Sequence, residues 1–313
     1  MELGIKTLTG LLGAALLCGC NSAEGRIESA RAVAAPERPG MTLVWADEFE
    51  GDALDRTKWQ PETSCWGGGN YERQCYTDRS DNIQVKDGYL HLIAKPEPFT
   101  GERFSQEKTD RGGLTTQSHT SGKVRTYGLA DWTYGRFEAR IKLPQGQSTW
   151  PAFWMLPEEN AYGKWPLSGE IDIMEAVNLG VPCTDCGPGG IETRTGAALH
   201  FGQPWPHNNV LFKRQALPGE TTDFHIFAAE WAPDNIKWFV DGDLVYTVDK
   251  ADWHTATIPK SENPNAPFDQ AFHLILNLAV GGNLPDGEGR GPFEPASFPA
   301  EMVIDWVRVY QSN

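Results

Sequence analysis

The chain has 313 residues, of which 40% are hydrophobic and 12 are tryptophan, enough for a large core with aromatic residues left over for a ligand. Its formal net charge of −15 argues against nucleic acid as a partner and, more weakly, against strongly anionic polymers. The length fits one large all-β domain behind a leader as well as it fits two domains.

The first twenty residues are typical of an export signal. Lys6 precedes an apolar run, residues 8–17, which is too short to span a bilayer as a stable helix. The run ends in Cys18-Gly19-Cys20, which resembles a bacterial lipoprotein signal with Cys20 as the lipidated residue; an ordinary cleaved signal is the alternative. We therefore expect a signal peptide at 1–19 and an exported protein, anchored through Cys20 to a bacterial (outer) membrane or cell surface.

The next segment is interpreted as a tether. Residues 21–40 contain no aromatic residue and are rich in Ala, Glu and Arg, with Pro36 and Pro39. A segment of this composition has little apolar surface to bury, so we expect residues 20–40 to be flexible, with the lipidated cysteine at their start. The folded domain is then expected at 41–313.

Four cysteines remain beyond the leader, namely Cys65, Cys75, Cys183 and Cys186. Export favours disulfides over free thiols, and three pairings are open. A pair between Cys65 and Cys75 would brace a loop, and Cys183 and Cys186 could pair with each other. A zinc site is not favoured because no second Cys-x-x-Cys motif exists.

Short alternating runs separated by Gly, Asn, Asp and Pro recur throughout and predict an all-β sandwich or barrel. Residues 86–88 and 241–243 each separate two such runs and predict two hairpins. The clearest strand is residues 134–143, in which polar side chains alternate with Gly, Phe, Ala, Ile and Leu. One face of that strand is expected to be core.

The most informative stretch is residues 169–178, which carries Glu170, Asp172 and Glu175 among apolar residues. In a strand Glu170 and Asp172 share one face, and Glu175 falls on the other. One extra residue in a β-bulge, most simply Met174, returns Glu175 to their face. A solvated edge strand is the alternative, but the nearby tryptophans favour a catalytic site.

This motif resembles the bulged signature of glycoside hydrolase family 16, in its laminarinase-like (endo-β-1,3-glucanase) branch. Four further motifs carry the resemblance over roughly residues 41–313: 44–49 (VWADEF), 134–140 (YGRFEAR), 150–155 (WPAFWM) and 305–310 (DWVRVY). It implies a β-jelly-roll sandwich of the concanavalin A-like kind with a concave substrate cleft. It also implies a retaining glycosidase that needs no cofactor for catalysis.

The resemblance implies a role for each catalytic residue. Glu170 is the nucleophile, Glu175 is the acid/base, and Asp172 orients Glu170 and tunes its charge. Crowded carboxylates raise one another's proton affinity, so the acid can stay protonated near neutral pH. The three are expected to titrate as a coupled set.

The resemblance also implies substrate-binding residues, because flat aromatic rings suit the apolar faces of pyranose sugars. The expected sugar contacts are Asn70, Glu138, Arg140, Trp150, Trp154, Trp165, His200 and Asn277. A structural role is the alternative for His200, for Asn277 and for one of the tryptophans.

A structural Ca²⁺ is a further expectation from the resemblance, since many relatives bind one on the convex side. Glu48, Gly88 and Asp305 are the corresponding positions, and oxygen ligands suit Ca²⁺. An Asp305 bonded to backbone N–H groups is the alternative.

The expected partner is a β-glucan, with β-1,3-glucan favoured and mixed-linkage β-1,3-1,4-glucan also considered, and the protein is expected to be a monomer. An agarase or carrageenase of the same family, a transglycosylase and a non-catalytic glucan-binding lectin are the competing hypotheses. Sulfated galactans would favour a basic cleft, whereas the chain is acidic. A lectin would not need all three carboxylates.

Overall fold

The computed structural model describes residues 35–104, 112–186, 189–287 and 290–313, besides Met1. Cys20, the segment interpreted as a signal peptide and most of the expected tether lie outside the described residues. Regular structure in the described part is β-strand apart from two short 3-10 helices. No helix in these ranges is long and apolar enough to cross a membrane.

Eight strands form one sheet, sheet A. They are β1 Met41–Asp47, β4 Ile83–Lys86, β5 Tyr89–Ala94, β10 Gly135–Lys142, β15 Phe224–Trp231, β16 Asn235–Val240, β17 Asp243–Asp249 and β19 Ala300–Ser312. Their spatial order is β17-β16-β15-β10-β19-β5-β4, and β1 also pairs with β19.

Seven strands form a second sheet, sheet B. They are β2 Gln60–Pro61, β9 Lys123–Arg125, β11 Thr149–Pro157, β12 Glu170–Ala176, β13 Arg194–Phe201, β14 Asn209–Ala216 and β18 Phe272–Val280. Their spatial order is β14-β13-β12-β11-β18-β9-β2, which places the carboxylate strand β12 between β11 and β13.

Smaller elements complete the described chain. They are β3 Gln74–Tyr76 paired in parallel with β8 His119–Ser121, β6 Phe99–Glu102 paired with β7 Leu114–Gln117, and 3-10 helices at Gly67–Gly69 and Pro295–Ser297. Disulfides join Cys65 to Cys75 and Cys183 to Cys186, which selects one of the three pairings left open by the sequence.

The core lies between the two sheets, as strand alternation requires. In β10, Phe137, Ala139 and Ile141 are fully buried in it, and the strand predicted at 134–143 is confirmed at Gly135–Lys142. In β18, alternate residues from Phe272 to Val280 join the same core. The all-β sandwich prediction is therefore confirmed.

Both predicted hairpins form. Asp87 and Gly88 connect β4 to β5, and Asp241 and Gly242 connect β16 to β17, all four with φ between 50° and 93°. Positive φ at both central residues gives a two-residue turn whose twist matches that of the strands, and Asp-Gly is a preferred sequence for it.

Ordered contacts begin before the expected boundary at residue 41. Arg38 ion-pairs with the buried carboxylate of Glu138 and lies over the ring of Tyr310. Glu138 is fully buried, and a buried carboxylate needs a cationic partner. Arg38 is such a partner, so the end of the segment interpreted as a flexible tether is fixed to sheet A.

Candidate active site

The carboxylate strand β12 contains the predicted bulge. Asp172 pairs with Ala198 of β13, whereas Glu175 pairs with Gly196, so Ile173 and Met174 together oppose Ala197. Both of these side chains are buried in the core. In the pairing with β11, Ile173 is the residue skipped, so the bulge comprises both residues and not Met174 alone.

The bulge is held from the opposite sheet. The indole Nε1–H of Trp238, a buried residue of β16, donates a hydrogen bond of 2.9 Å to the backbone carbonyl of Asp172. A bulge disrupts the ladder locally, and a buried carbonyl without a partner is costly. Sequence reasoning did not find Trp238, because nothing along the chain links residue 238 to residue 172.

Two of the tryptophans that were expected to contact sugar donate hydrogen bonds to the outer carboxylates, Glu170 and Glu175. Trp165 Nε1–H donates to Glu170 at 2.7 Å, and Trp150 Nε1–H donates to Glu175 at 2.8 Å. Trp165 remains 42% exposed, so its ring is still available to a ligand. These tryptophans therefore orient the carboxylates as well as lining the face that a sugar would use.

His200 lies opposite Glu170 on β13 and completes a cluster with Asp172. Its Nε2 is 3.3 Å from Asp172 Oδ2 and 3.6 Å from Glu170 Oε1. Ligand atoms of these three residues all lie within 4.8 Å of one another, a spacing that could hold a metal ion. A metal there would occupy the carboxylate expected to act as nucleophile.

Burial and crowding set the protonation of the cluster. Burial, with a further contribution from the charge of Asp172, raises the pKa of Glu170 to about 8. Burial also raises the pKa of Asp172 and of Glu175. Burial acts to lower the pKa of His200, but the surrounding carboxylates outweigh it and raise this pKa to about 10. His200 is therefore cationic at neutral pH, and the carboxylates titrate together.

Trp154 and Asn277 meet on the same outward face of sheet B. Trp154 Nε1–H donates to the Asn277 side-chain oxygen at 2.7 Å, and the Asn277 amide donates to the Tyr76 hydroxyl at 3.1 Å. Lys123 Nζ lies 5.2 Å from the centre of the Trp154 ring and forms an ion pair with Glu62. Sequence reasoning did not find Tyr76, Lys123 or Glu62, which come from separate strands and loops.

Asn70 lies in the disulfide-closed loop, beside the turn that follows β18. Its backbone carbonyl accepts a hydrogen bond from Asn283, and its amide donates to Glu72 at 3.2 Å. Gly68 and Gly69 have φ of 59° and 82°, which glycine adopts without strain. No contact between Asn70 and the three carboxylates is found among the described residues.

The expectation that Glu138 and Arg140 line the cleft is wrong. Both lie on β10 of sheet A and point away from the core, whereas the three carboxylates point outward from sheet B. Glu138 is buried between Arg38 and Arg136, and Arg140 is ion-paired with Asp305. Alternation correctly separated the faces of β10, but it could not show which sheet the strand joins.

The positions expected to bind Ca²⁺ converge in sheet A. Strand β19 pairs with β5 as far as Ile304 and with β1 from Val307 onward. Glu48 and Gly88 lie just beyond those pairings, beside Asp305. The carboxylate of Glu48 accepts two hydrogen bonds of 2.8 Å from Arg308, and that of Asp305 is paired with Arg140. Both carboxylates therefore have an arginine partner, and a cation at this junction would compete with Arg140 for Asp305.

The chain is similar to a family model and to several known proteins. The family model described as "Beta-porphyranase A-D, GH16 domain" matches residues 43–312. Glucan endo-1,3-beta-glucosidase A1 of Niallia circulans is 40% identical over 293 residues, and the match spans 89% of this chain and 39% of that longer protein. The Beta-glucanase of Rhodothermus marinus is 39% identical over 281 residues, spanning 87% of this chain and 86% of that protein.

Solved structures agree in fold and in extent. The X-ray structure of the laminarinase from Rhodothermus marinus superposes with a TM-score of 0.70 at 36% identity, covering 87% of this chain and 98% of that one.

Proposed function

Because the chain belongs to glycoside hydrolase family 16, we propose that it hydrolyses internal bonds of β-1,3-glucan with retention of configuration. The observation that carries this proposal is the bulged strand β12, which presents Glu170, Asp172 and Glu175 on one face, with Trp165 and Trp150 bound to the outer two. The named relatives, a glucan endo-1,3-beta-glucosidase and a laminarinase, support the same substrate.

The geometry supports a two-step displacement. Glu170 attacks the anomeric carbon while Glu175 gives its proton to the leaving oxygen, and a glycosyl-enzyme ester forms. Glu175, now a carboxylate, takes a proton from water, and that water attacks the anomeric carbon and releases Glu170. The second step thus restores the proton on Glu175 and breaks the ester bond to Glu170, so both residues return to their starting states.

Glu170 must be ionised to attack, although its pKa of about 8 favours the acid form in the free protein at neutral pH. Asp172 hydrogen-bonds with Glu170 and can accept that proton when substrate binds. The cationic His200, close to both, stabilises the negative charge left on Glu170. Glu175 has no contact as close with His200 among the described residues, which favours its retaining a proton.

Product profiles on laminarin, lichenan, agarose, porphyran and carrageenan test the substrate. We expect laminarin to be cleaved fastest, to a ladder of oligosaccharides from the first minutes, and lichenan to be cleaved more slowly. A protein that leaves laminarin intact would contradict the proposal. A galactanase is the second candidate, since the matching family model is one of β-porphyranases, and it predicts cleavage of porphyran or agarose instead.

We also propose that a Ca²⁺ ion binds at the junction of β1, β5 and β19, with ligands from Asp305, Glu48 and Gly88. A cation there would take Asp305 from Arg140. A ligand that binds only the folded state raises its stability. Chelation should therefore lower the melting temperature of the wild type more than that of Asp305→Ala; equal shifts would remove Asp305 from the site.

A third proposal concerns export. Cys20 is diacylated and holds the protein at a bacterial membrane as a monomer, which the Leu17-Cys18-Gly19-Cys20 sequence supports. Cys20→Ser should move the protein to the soluble fraction and remove the lipid mass from the mature N-terminus. Unchanged fractionation, with no lipid on the wild type, would contradict the anchor.

A further inference from the structure

Three arginines lie beyond Glu175: Arg194 on β13, Arg214 on β14 and Arg290 in the segment between β18 and β19. Glu175 pairs with Gly196 of β13, and Gly196 pairs with Arg214 of β14, so Arg214 is two strands away, roughly 10 Å across the sheet. A small, solvent-open recess here is lined by Glu175, Arg194 and Arg214. Arg290 lines a neighbouring recess that shares Val177 and Glu192 with the first.

Only one of the three arginines is neutralised. Arg194 donates to both carboxylate oxygens of Glu192 at 2.8 Å, so that pair carries no net charge. Arg214 lies over the ring of Phe212 at 5.2 Å and has no ion-pair partner among the described residues. Arg290 Nη1 is buried and likewise has no hydrogen-bond partner in the described part of the chain. The side chain of Arg214 therefore lies on the outward face of sheet B with Glu175, and Arg290 lines the recess beside it.

Their position is costly without an anion. Burial lowers the pKa of both Arg214 and Arg290; the charge of Arg290 lowers the pKa of Arg214 further, and the charge of Arg194 lowers both. The charges of Glu192 and Glu175 act in the opposite direction on both arginines, but Glu192 is ion-paired with Arg194 and burial raises the pKa of Glu175. Partly buried like charges of this kind are stabilised further when an anion binds beside them.

We propose that Arg214 and Arg290 bind an anionic substituent, a carboxylate or a sulfate, on the sugar next to Glu175 on the leaving-group side. This inference rests on the proposed function, in which Glu175 protonates the leaving sugar. The planar guanidinium fork can donate two parallel hydrogen bonds to such a group. The recess is thus locally positive in a chain whose net charge is −15, so a substituted β-glucan is bound there in preference to the neutral polymer.

The test measures binding, so that it does not depend on hydrolysis. In a Glu170→Gln background, dissociation constants for neutral laminarin, carboxymethylated laminarin and sulfated laminarin are measured by affinity electrophoresis at fixed ionic strength. The variants are Arg214→Gln, Arg290→Gln and Arg214→Lys. Lys250→Gln is the control, because it removes one charge from an exposed ion pair after β17 of sheet A.

The preference for an anionic over the neutral glucan should fall about tenfold in Arg214→Gln and in Arg290→Gln, the size of one charge-assisted hydrogen bond. The preference should fall less in Arg214→Lys, which keeps the charge, and it should stay constant in Lys250→Gln. If Arg214→Gln does not fold, Arg214→Lys takes its place in the comparison. The dissociation constants for carboxymethylated and for sulfated laminarin show which anion is preferred. An equal preference in all variants, or an equal fall in Lys250→Gln, overturns the proposal. If the protein with Glu170 in place does not cleave laminarin, the proposed function is contradicted. The ratios of dissociation constants for anionic and neutral glucan would still show whether Arg214 and Arg290 bind an anion.

Discussion

Apolar and charged residues alternate along two strands of this molecule, β10 in sheet A and β12 in sheet B, but the charged residues of the two strands have different partners and different roles. On β10 the outward charges are of both signs, and Glu138 is enclosed by Arg38 and Arg136. On β12 the outward charges all have one sign, and they are bound by indole N–H groups and by His200.

The difference lies in what each arrangement does to the charges. Opposite charges on β10 satisfy one another, and the result is a fixed surface. On β12 burial, with a further contribution from the neighbouring carboxylates, raises the pKa of Glu170 and of Glu175, which costs stability and favours the protonated form that a general acid needs. The sign and the partners of the charges, and not the alternation, therefore distinguish a structural face from a catalytic one.

The largest effect expected is on turnover when a carboxylate of β12 is changed. Glu175→Gln removes the general acid, which typically contributes about 10²–10⁴-fold, and Glu170→Gln removes the covalent step and should cost more. Turnover on laminarin, measured after circular dichroism confirms folding, checks both. Near-wild-type turnover in either variant would remove that residue from its role.

The matched change on β10 should act on stability instead. Glu138→Gln leaves Arg38 and Arg136 without their buried counter-charge, a change that typically costs about 3 kcal/mol. We expect a lower free energy of unfolding in urea and unchanged turnover per folded molecule. A loss of turnover comparable to that of Glu175→Gln would break the distinction between the two strands.

The bulge supplies the next largest effect. Deleting Met174 leaves Glu175 four positions after Glu170, and an even spacing in a regular strand still places both on one face. We expect a folded deletion variant to keep reduced activity, by about 10²-fold if the acid moves by about 1 Å. Inserting a second residue beside Met174 should turn Glu175 away and match Glu175→Ala.

Loss of the buried Met174 side chain also lowers stability, so folding must be confirmed before turnover is compared. A folded deletion variant as inactive as Glu175→Ala, or an insertion variant close to wild type, would refute the account of the bulge.

The smallest effects expected are shifts of the pH profile in opposite directions. The negative charge of Asp172 raises the pKa of Glu170, so Asp172→Asn should lower that pKa and move the kcat/KM profile to lower pH. The cationic His200 lowers the pKa of Glu170 and of Glu175, so His200→Gln should raise both and move the profile to higher pH. Shifts in the same direction in the two variants would contradict the assigned charges.

The sequence predicted much of the fold and the centre of the site, because both depend on local patterns. Alternation identified β10 and β12, two Asp-Gly turns identified hairpins, and parity required the bulge between Asp172 and Glu175. Each of these follows from residues within about ten positions of one another.

Contacts between distant segments could not be predicted in the same way. The carbonyl of Asp172 is bound by Trp238 from the other sheet, Asn277 links Trp154 to Tyr76, and Arg214 reaches the cleft through two strand pairings. The misplacement of Glu138 and Arg140 has the same cause, since the face of a strand is local but its sheet is not.

The stereochemistry of the first product tests the central claim most directly. If Glu170 forms a covalent intermediate and water then displaces it from the opposite face, NMR during the first minutes of laminarin cleavage should show the β-anomer before mutarotation. Initial release of the α-anomer would mean direct attack by water, and it would contradict the assignment of Glu170 as nucleophile.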